Sequence, residues 1–153
     1  MRGPPAWLPR PSAAAQYATA MQSIEAAWAA GFFDGEGTTG TQTTSPRHGK
    51  GRPRVVLAMS VPQVELEPLQ RFAAAVGAGA ISRRPARGHS QAIWRWRATG
   101  GAAARAMRVL GPYLSQPKLR QAWRAAIAVR NDRLARNAAY AAALAEARAR
   151  RAA

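Results

Sequence analysis

The chain has 153 residues, enough for one ordinary domain with a buried core, and carries 23 Lys and Arg against 7 Asp and Glu, a formal net charge of +16. There is no cysteine, which excludes disulfides and thiolate metal sites, and no apolar run approaches the roughly 20 residues that span a bilayer. Nearly all of the positive charge is arginine, whose planar fork matches phosphate oxygens and guanine edges, so nucleic acid is the expected partner rather than a membrane surface, with a cytoplasmic location as the default. The same abundance of Arg and Ala also reads as the imprint of a G+C-rich genome.

The opening stretch, MRGPPAWLPRPSAAAQ, is Pro-rich without an apolar signal region and reads as a flexible arm over residues 1–18. A folded domain is expected over 19–133. From Ser23 the pattern turns helical, with Ile24, Ala27, Trp28, Gly31 and Phe32 on one face. Ala26, Ala30 and Phe33 make the opposite face apolar as well. A small protein buries such a helix mainly by pressing it against a second copy, and Ala27 and Gly31, one turn apart, permit close approach. Glycine accepts the left-handed conformation that closes helices, so the stop is expected at Gly35 or Gly37.

Two strand-like runs follow, TTGTQTTS and RVVLAMSV, joined by the basic loop PRHGKGRP into a long hairpin. Leu69, Phe72, Ala73 and Val76 mark a short amphipathic helix, with Pro68 near its start and Gly77 just past its end. AISRRP and QAIWRWRAT form a second hairpin. Thr99 is placed to cap a third helix carrying Met107 and Leu110, and SQPKLRQAWRAAIAVR opens a fourth with Leu119, Trp123 and Ile127 on one stripe. Beyond it, 134–153 is an Ala/Arg-rich helix or tail with little to pack. Two hairpins with helices segregated to one side make an α+β sandwich whose other sheet face is free.

The segment WAAGFFDGEG places Asp34 and Glu36 just past a helix C-terminus, where the helix dipole is already negative. In a chain this cationic the arrangement suggests a missing hard cation such as magnesium, held through one or two carboxylates plus waters and phosphate oxygens. It equally reads as a polar helix stop, since Asp and Gly are ordinary turn residues. Spacing alone leaves both readings open.

Residues Ala29 to Gly37, AAGFFDGEG, resemble the LAGLIDADG motif of homing endonucleases. The resemblance continues over roughly Ile24 to Val129, through the order of elements, the VGAGAI entry to the second hairpin, WRWRAT and GPYLSQPKLRQA. It implies an αββαββα domain whose antiparallel sheet forms a saddle on the DNA major groove. It further implies that the motif helix joins two like domains and that the last acid of the motif, here Glu36, holds Mg2+ or Mn2+. Asp34 matches the first acidic position, more structural than metal-binding, at the dimer interface with Ala27 and Gly31. Gln63 falls near a position that arranges active-site water, and Lys118 matches a lysine near the scissile phosphate. A second basic residue expected at the start of the next helix is missing from VELEP. One motif copy implies a homodimer.

In IWRWR, alternation sends Trp94 and Trp96 to one face and Ile93, Arg95 and Arg97 to the other. The tryptophans are assigned to the core and the arginines, with Arg83 and Arg84, to DNA. Tryptophans stacked on unpaired bases would instead suit single-stranded RNA. Arg47, Arg52 and Arg54, with His48 and Lys50, are expected to position phosphates, and Gln42 and Thr44 to read base edges. His48 and His89 are read as polar loop surface rather than metal ligands. The expected activity is that of a magnesium-dependent homodimeric homing endonuclease that breaks both strands of a long, roughly palindromic DNA target, the kind of enzyme that serves intron or intein mobility. The rival is a non-cleaving protein of the same fold, an RNA maturase or transcription regulator.

Overall fold

The computed structural model describes residues 12–46, 52–86 and 91–152. Helix α1 (Ala13–Glu36) leads into strands β1 (Thr38–Thr44) and β2 (Arg54–Gln63), then α2 (Leu66–Val76), β3 (Ala80–Arg84), β4 (Ile93–Thr99), α3 (Gly101–Leu110), a 3-10 turn (Gly111–Tyr113) and α4 (Gln116–Ala152). The four strands form one antiparallel sheet in the order β1-β2-β4-β3. The second strand of each hairpin therefore lies in the middle. Among the described residues no helix is long and apolar enough to cross a membrane.

Strand alternation separates the sheet's two sides. Met59 and Val61 of β2 and Trp96 and Ala98 of β4 are buried beneath the helices, where Phe33, Leu69, Phe72, Ala103, Ala106 and Leu110 complete the core. Phe72 meets Trp96 edge-on at 4.9 Å between ring centroids, and the Trp96 Nε1–H donates to the Ala78 carbonyl at 2.9 Å. The tryptophan is thus both packed and hydrogen-bonded, as a buried indole requires. Gly79, at φ 86°, lies so close that a Cβ would strike both the Trp96 ring and the Arg97 carbonyl. This explains the glycine in the VGAGAI segment. Pro62 is admitted near the end of β2 because β1 stops pairing at Ser60, leaving no partner on that side for the missing N–H.

The strands, α2 and its left-handed cap at Gly77 (φ 63°) lie where the sequence places them. Four local expectations are corrected. Helix α1 begins at Ala13 rather than Ser23, with the Ser12 hydroxyl accepting from the Ala15 N–H, so residues 13–18 of the expected arm are helical. Ala-rich propensity carries this exposed first part, which has no core-facing stripe to betray it. At its other end α1 is capped by Gly37 in extended rather than left-handed backbone (φ −85°), running straight into β1. Glycine is needed there because a Cβ would collide with the Phe33 ring.

Thr99 does not cap α3: it is still paired in β4, and Gly100 makes the turn, donating its N–H to the Leu57 carbonyl at 2.8 Å. The fourth correction concerns α4. Its buried residues are Ala122 and Ala125, whereas Trp123 is 69% and Ile127 41% exposed. Small residues let α4 lie close across β1 and β2. Its Gln121 side chain accepts the Thr39 N–H (3.3 Å), and Asp132 accepts the Val55 N–H (3.2 Å). These contacts fix the helix rotation and turn the larger side chains outward. The helix then continues unbroken to Ala152, 37 residues or about 55 Å at the usual rise.

Candidate nucleic-acid interface and acidic centre

The outward side of the sheet carries Thr38, Gly40, Gln42 and Thr44 on β1, Arg54, Ala58 and Ser60 on β2, Arg95 and Arg97 on β4, and Arg84 on β3, by alternation and register. Gln42 and Arg97 are joined: Arg97 Nη2 donates to Gln42 Oε1 at 3.0 Å across β2, where the intervening outward residue is only Ala58. The bond occupies the amide oxygen and leaves the amide NH2 and the rest of the guanidinium without a partner among the described residues, two donor groups fixed relative to each other. Arg95 is half-buried, and its Nε has no partner among the described residues.

Arg83 departs from this set. It pairs opposite Trp94 on the helix side, with its guanidinium 5.7 Å from the indole centroid, so it is not alongside Arg95 and Arg97. Arg52 is exposed just before β2, against Arg136 and Tyr140 of α4. Arg47, His48, Lys50 and His89 lie outside the described residues.

At the end of α1 the two acids have different fates. The Asp34 carboxylate accepts from the Ser115 N–H (3.0 Å) and from the Ser115 hydroxyl (3.0 Å). Ser115 directly precedes α4 and its carbonyl accepts from the Leu119 N–H, so Asp34 sits at the positive end of that helix dipole. Its unfavourable position on α1 is thereby offset by a favourable one on α4. Glu36 is exposed and has no hydrogen-bond or ion-pair partner among the described residues. Lys118, in the first turn of α4, donates from Nζ to the carbonyl of Gly37, next to Glu36, and lies 5.7 Å from the Phe33 centroid. Asp34–Ser115 and Lys118–Gly37 together clamp the start of α4 onto the end of α1.

Glu36 and Lys118 therefore belong to one junction. Gln63 ends β2 opposite Trp94, three residues past Ser60, the partner of Thr38, and has no hydrogen-bond partner among the described residues. No group of three His, Asp or Glu side chains suited to a metal occurs among those residues. Glu36 alone offers one free hard-oxygen donor, which fits a magnesium ion only as part of a site completed by another carboxylate, phosphate oxygens and water. The sequence reading missed Ser115, although a serine before QPKL at a helix start was its visible signal.

On α1, Ala26, Ala29, Ala30 and Phe33 are buried, while Ile24, Ala27 and Gly31 are exposed. A Cβ at Gly31 would meet no described residue within 4 Å, so the packing of the described residues does not require glycine there. Trp28 stacks on Phe32 with 5.5 Å between centroids and is covered by the Arg71 guanidinium at 3.9 Å. The hydrogen bond between Arg71 and Glu25 lowers the glutamate's pKa and raises the arginine's. On α4 the hydrogen bond from Arg136, and after it that from Val55, hold the Asp132 carboxyl below its ordinary value against the opposing effect of burial.

Neither a family model nor a curated protein matches the sequence. Solved structures match the fold. The homing endonuclease I-CvuI, in complex with the I-CreI target in magnesium with the DNA uncleaved, superposes at TM-score 0.53 and 23% identity, over 67% of this chain and 63% of that one. The same enzyme on its own target in calcium gives 0.52 at 23% identity, over 67% and 63% of the two chains. The group I intron-encoded homing endonuclease I-CeuI, complexed with DNA, gives 0.52 at 17% identity, over 65% of this chain and 51% of that one. The match thus spans less than two thirds of either relative's length. Likeness at this identity concerns architecture, and in architecture the chain has the αββαββα fold of the LAGLIDADG homing endonucleases.

Proposed function

We propose that the chain is a homodimeric DNA endonuclease that requires magnesium or manganese and breaks both strands of a long, roughly palindromic target. The observation that carries this reading is the unequal use of the acidic pair: Asp34 is bound to Ser115, while Glu36 is left free beside the Lys118–Gly37 contact. A carboxylate whose only task was to stop a helix would not need the fixed lysine beside it.

In this reading the exposed stripe of Ile24, Ala27 and Gly31 meets its counterpart in a second copy, bringing two Glu36 carboxylates to one centre. The outward arginines and Gln42 hold the duplex across the sheet. Lys118, held by the Gly37 carbonyl, keeps a positive charge beside the acidic centre, where it offsets charge on the phosphate. Gln63 remains a candidate to order water at the edge of that centre. Glu36 and its counterpart would hold the divalent ion, which when bound would supply an activated water and offset charge on the attacking and leaving oxygens.

The test compares cleavage of plasmid carrying the target, with and without magnesium, for wild type and Glu36→Gln. The amide keeps the shape but loses the charge that offsets a divalent cation, so nicking and linearisation should both collapse. DNA affinity in chelator should hold or tighten, since like charge beside the phosphates is removed. Cleavage retained by the variant refutes the metal assignment. The start of α2 favours the non-cleaving rival: Glu65 and Glu67 stand where a basic partner was expected, and both complement that helix's N-terminal dipole. Wild type inactive on verified target DNA would decide for that rival.

A further inference from the structure

The rotation of α4 leaves an apolar groove between α3 and α4 on the helix side of the sheet. Its floor is formed by Leu57, Met107, Leu119 and Ala126, Trp123 stands at its wall, and its volume is about 810 Å³. The rim is Arg108, Arg120 and Arg124, and no acidic residue lines it among the described residues. Trp123, Ile127 and Leu134 continue the apolar stripe outward along α4, spaced four and seven residues apart, and all three are exposed. Asp132, the acid of α4 nearest this stripe, is already held by Arg136 and Val55.

We infer that this groove docks an acidic amphipathic helix of another protein. The shape argument is that a trough between two helices accepts a third, which anchors apolar side chains at i, i+3, i+4 and i+7. The chemistry selects protein over nucleic acid, because an aliphatic floor has no hydrogen-bonding groups for base edges but buries Leu or Phe side chains well. The charge selects an acidic partner, because three rim guanidiniums are available for carboxylate forks. A second copy of this chain is disfavoured: it would bring its own arginines against these, and the whole chain has only 7 acidic residues. The surface is separate from the outward sheet face and from Ile24, Ala27 and Gly31 of α1.

The test uses the full chain and a fluorescein-labelled synthetic helix, glutamate-rich with leucines at i, i+3, i+4 and i+7. A peptide of the same composition with its leucines dispersed is the comparison. Fluorescence anisotropy should show saturable binding of the amphipathic peptide, weakened about tenfold or more by Trp123→Glu or by dispersing the leucines. Because Trp123 is exposed, Trp123→Glu should keep the wild-type thermal midpoint; Met107→Glu gives a second reading from the floor. No binding by wild type, equal binding of the dispersed peptide, or indifference to both substitutions would overturn the inference. Displacement by a single-stranded oligonucleotide whose own binding needs Trp123 would overturn it too, assigning the groove to nucleic acid.

Discussion

Helices α1 and α4 both carry apolar residues on more than one face, but they distribute size in opposite ways. Along its second half α1 buries Phe33 with Ala26, Ala29 and Ala30, and turns small residues, Ala27 and Gly31, outward. Helix α4 buries Ala122 and Ala125 and turns Trp123, Ile127 and Leu134 outward. Small residues mark the face where another backbone comes close; large ones mark a face that reaches into a groove or forms its wall. In α4 the close neighbour is present, the β1–β2 hairpin. In α1 no described residue supplies it, which is why we read that face as the contact with a second copy.

The largest expected effect comes from placing the same charge on both outward faces. Gly31→Glu should convert a dimer into a monomer, because it puts bulk and buried charge between two close backbones. Trp123→Glu should leave the mass unchanged. Light scattering on both variants measures the contrast, and a wild type that is monomeric at micromolar concentration would sink the role given to α1.

Next in size is Ala125→Leu, which overpacks the contact between α4 and the hairpin and should destabilise the fold by about 1 to 3 kcal/mol in denaturant unfolding. A smaller change of opposite sign is expected at Gly31→Ala. No described residue obstructs the new methyl, so helix propensity should raise the stability of the dilute monomer by up to about 1 kcal/mol while assembly weakens. A gain in both would show that the face is not a close contact.

The smallest effect concerns Asp132, which ties α4 to β2. Its folded-state pKa is depressed, so its stabilisation is present above the ordinary carboxylate value and is lost as pH falls through the lowered one. Thermal midpoints of wild type should exceed those of Asp132→Asn at neutral pH and converge in acid. A gap that persists unchanged in acid would assign the effect to something other than ionisation.

What could be read in advance divides by the kind of signal. The strands and α2 were legible because period-two and 3.6-residue patterns in IWRWR and LQRFAAAV report burial directly. The rotation of α4 was not, because hydrophobicity favours Trp123 and Ile127 as the inner stripe, and the deciding contacts are polar, Gln121 to Thr39 and Asp132 to Val55. Of the two glycines expected to end α1, Gly35 lies within the helix and Gly37 caps it, but in extended backbone: Gly37 answers to the Phe33 ring, a neighbour four positions back, rather than to backbone handedness. At the acidic centre, spacing alone cannot tell Asp34 from Glu36. Their difference rests on Ser115, 81 residues from Asp34 in sequence.

The Gln121–Thr39 bond has a consequence for solubility. An open four-stranded sheet has two outer strands, and each invites further strands from neighbouring molecules. The two are guarded differently. Strand β3 is short and ends in two arginines, a charge barrier, whereas β1 is a threonine-rich run of high β-propensity with no charge of its own. What shields it is α4, whose Gln121 takes up an outward N–H that an incoming strand would otherwise use. The long helix thus acts as a gatekeeper against intermolecular strand addition, which lets the chain keep one broad sheet face bare without that sheet becoming a template for aggregation.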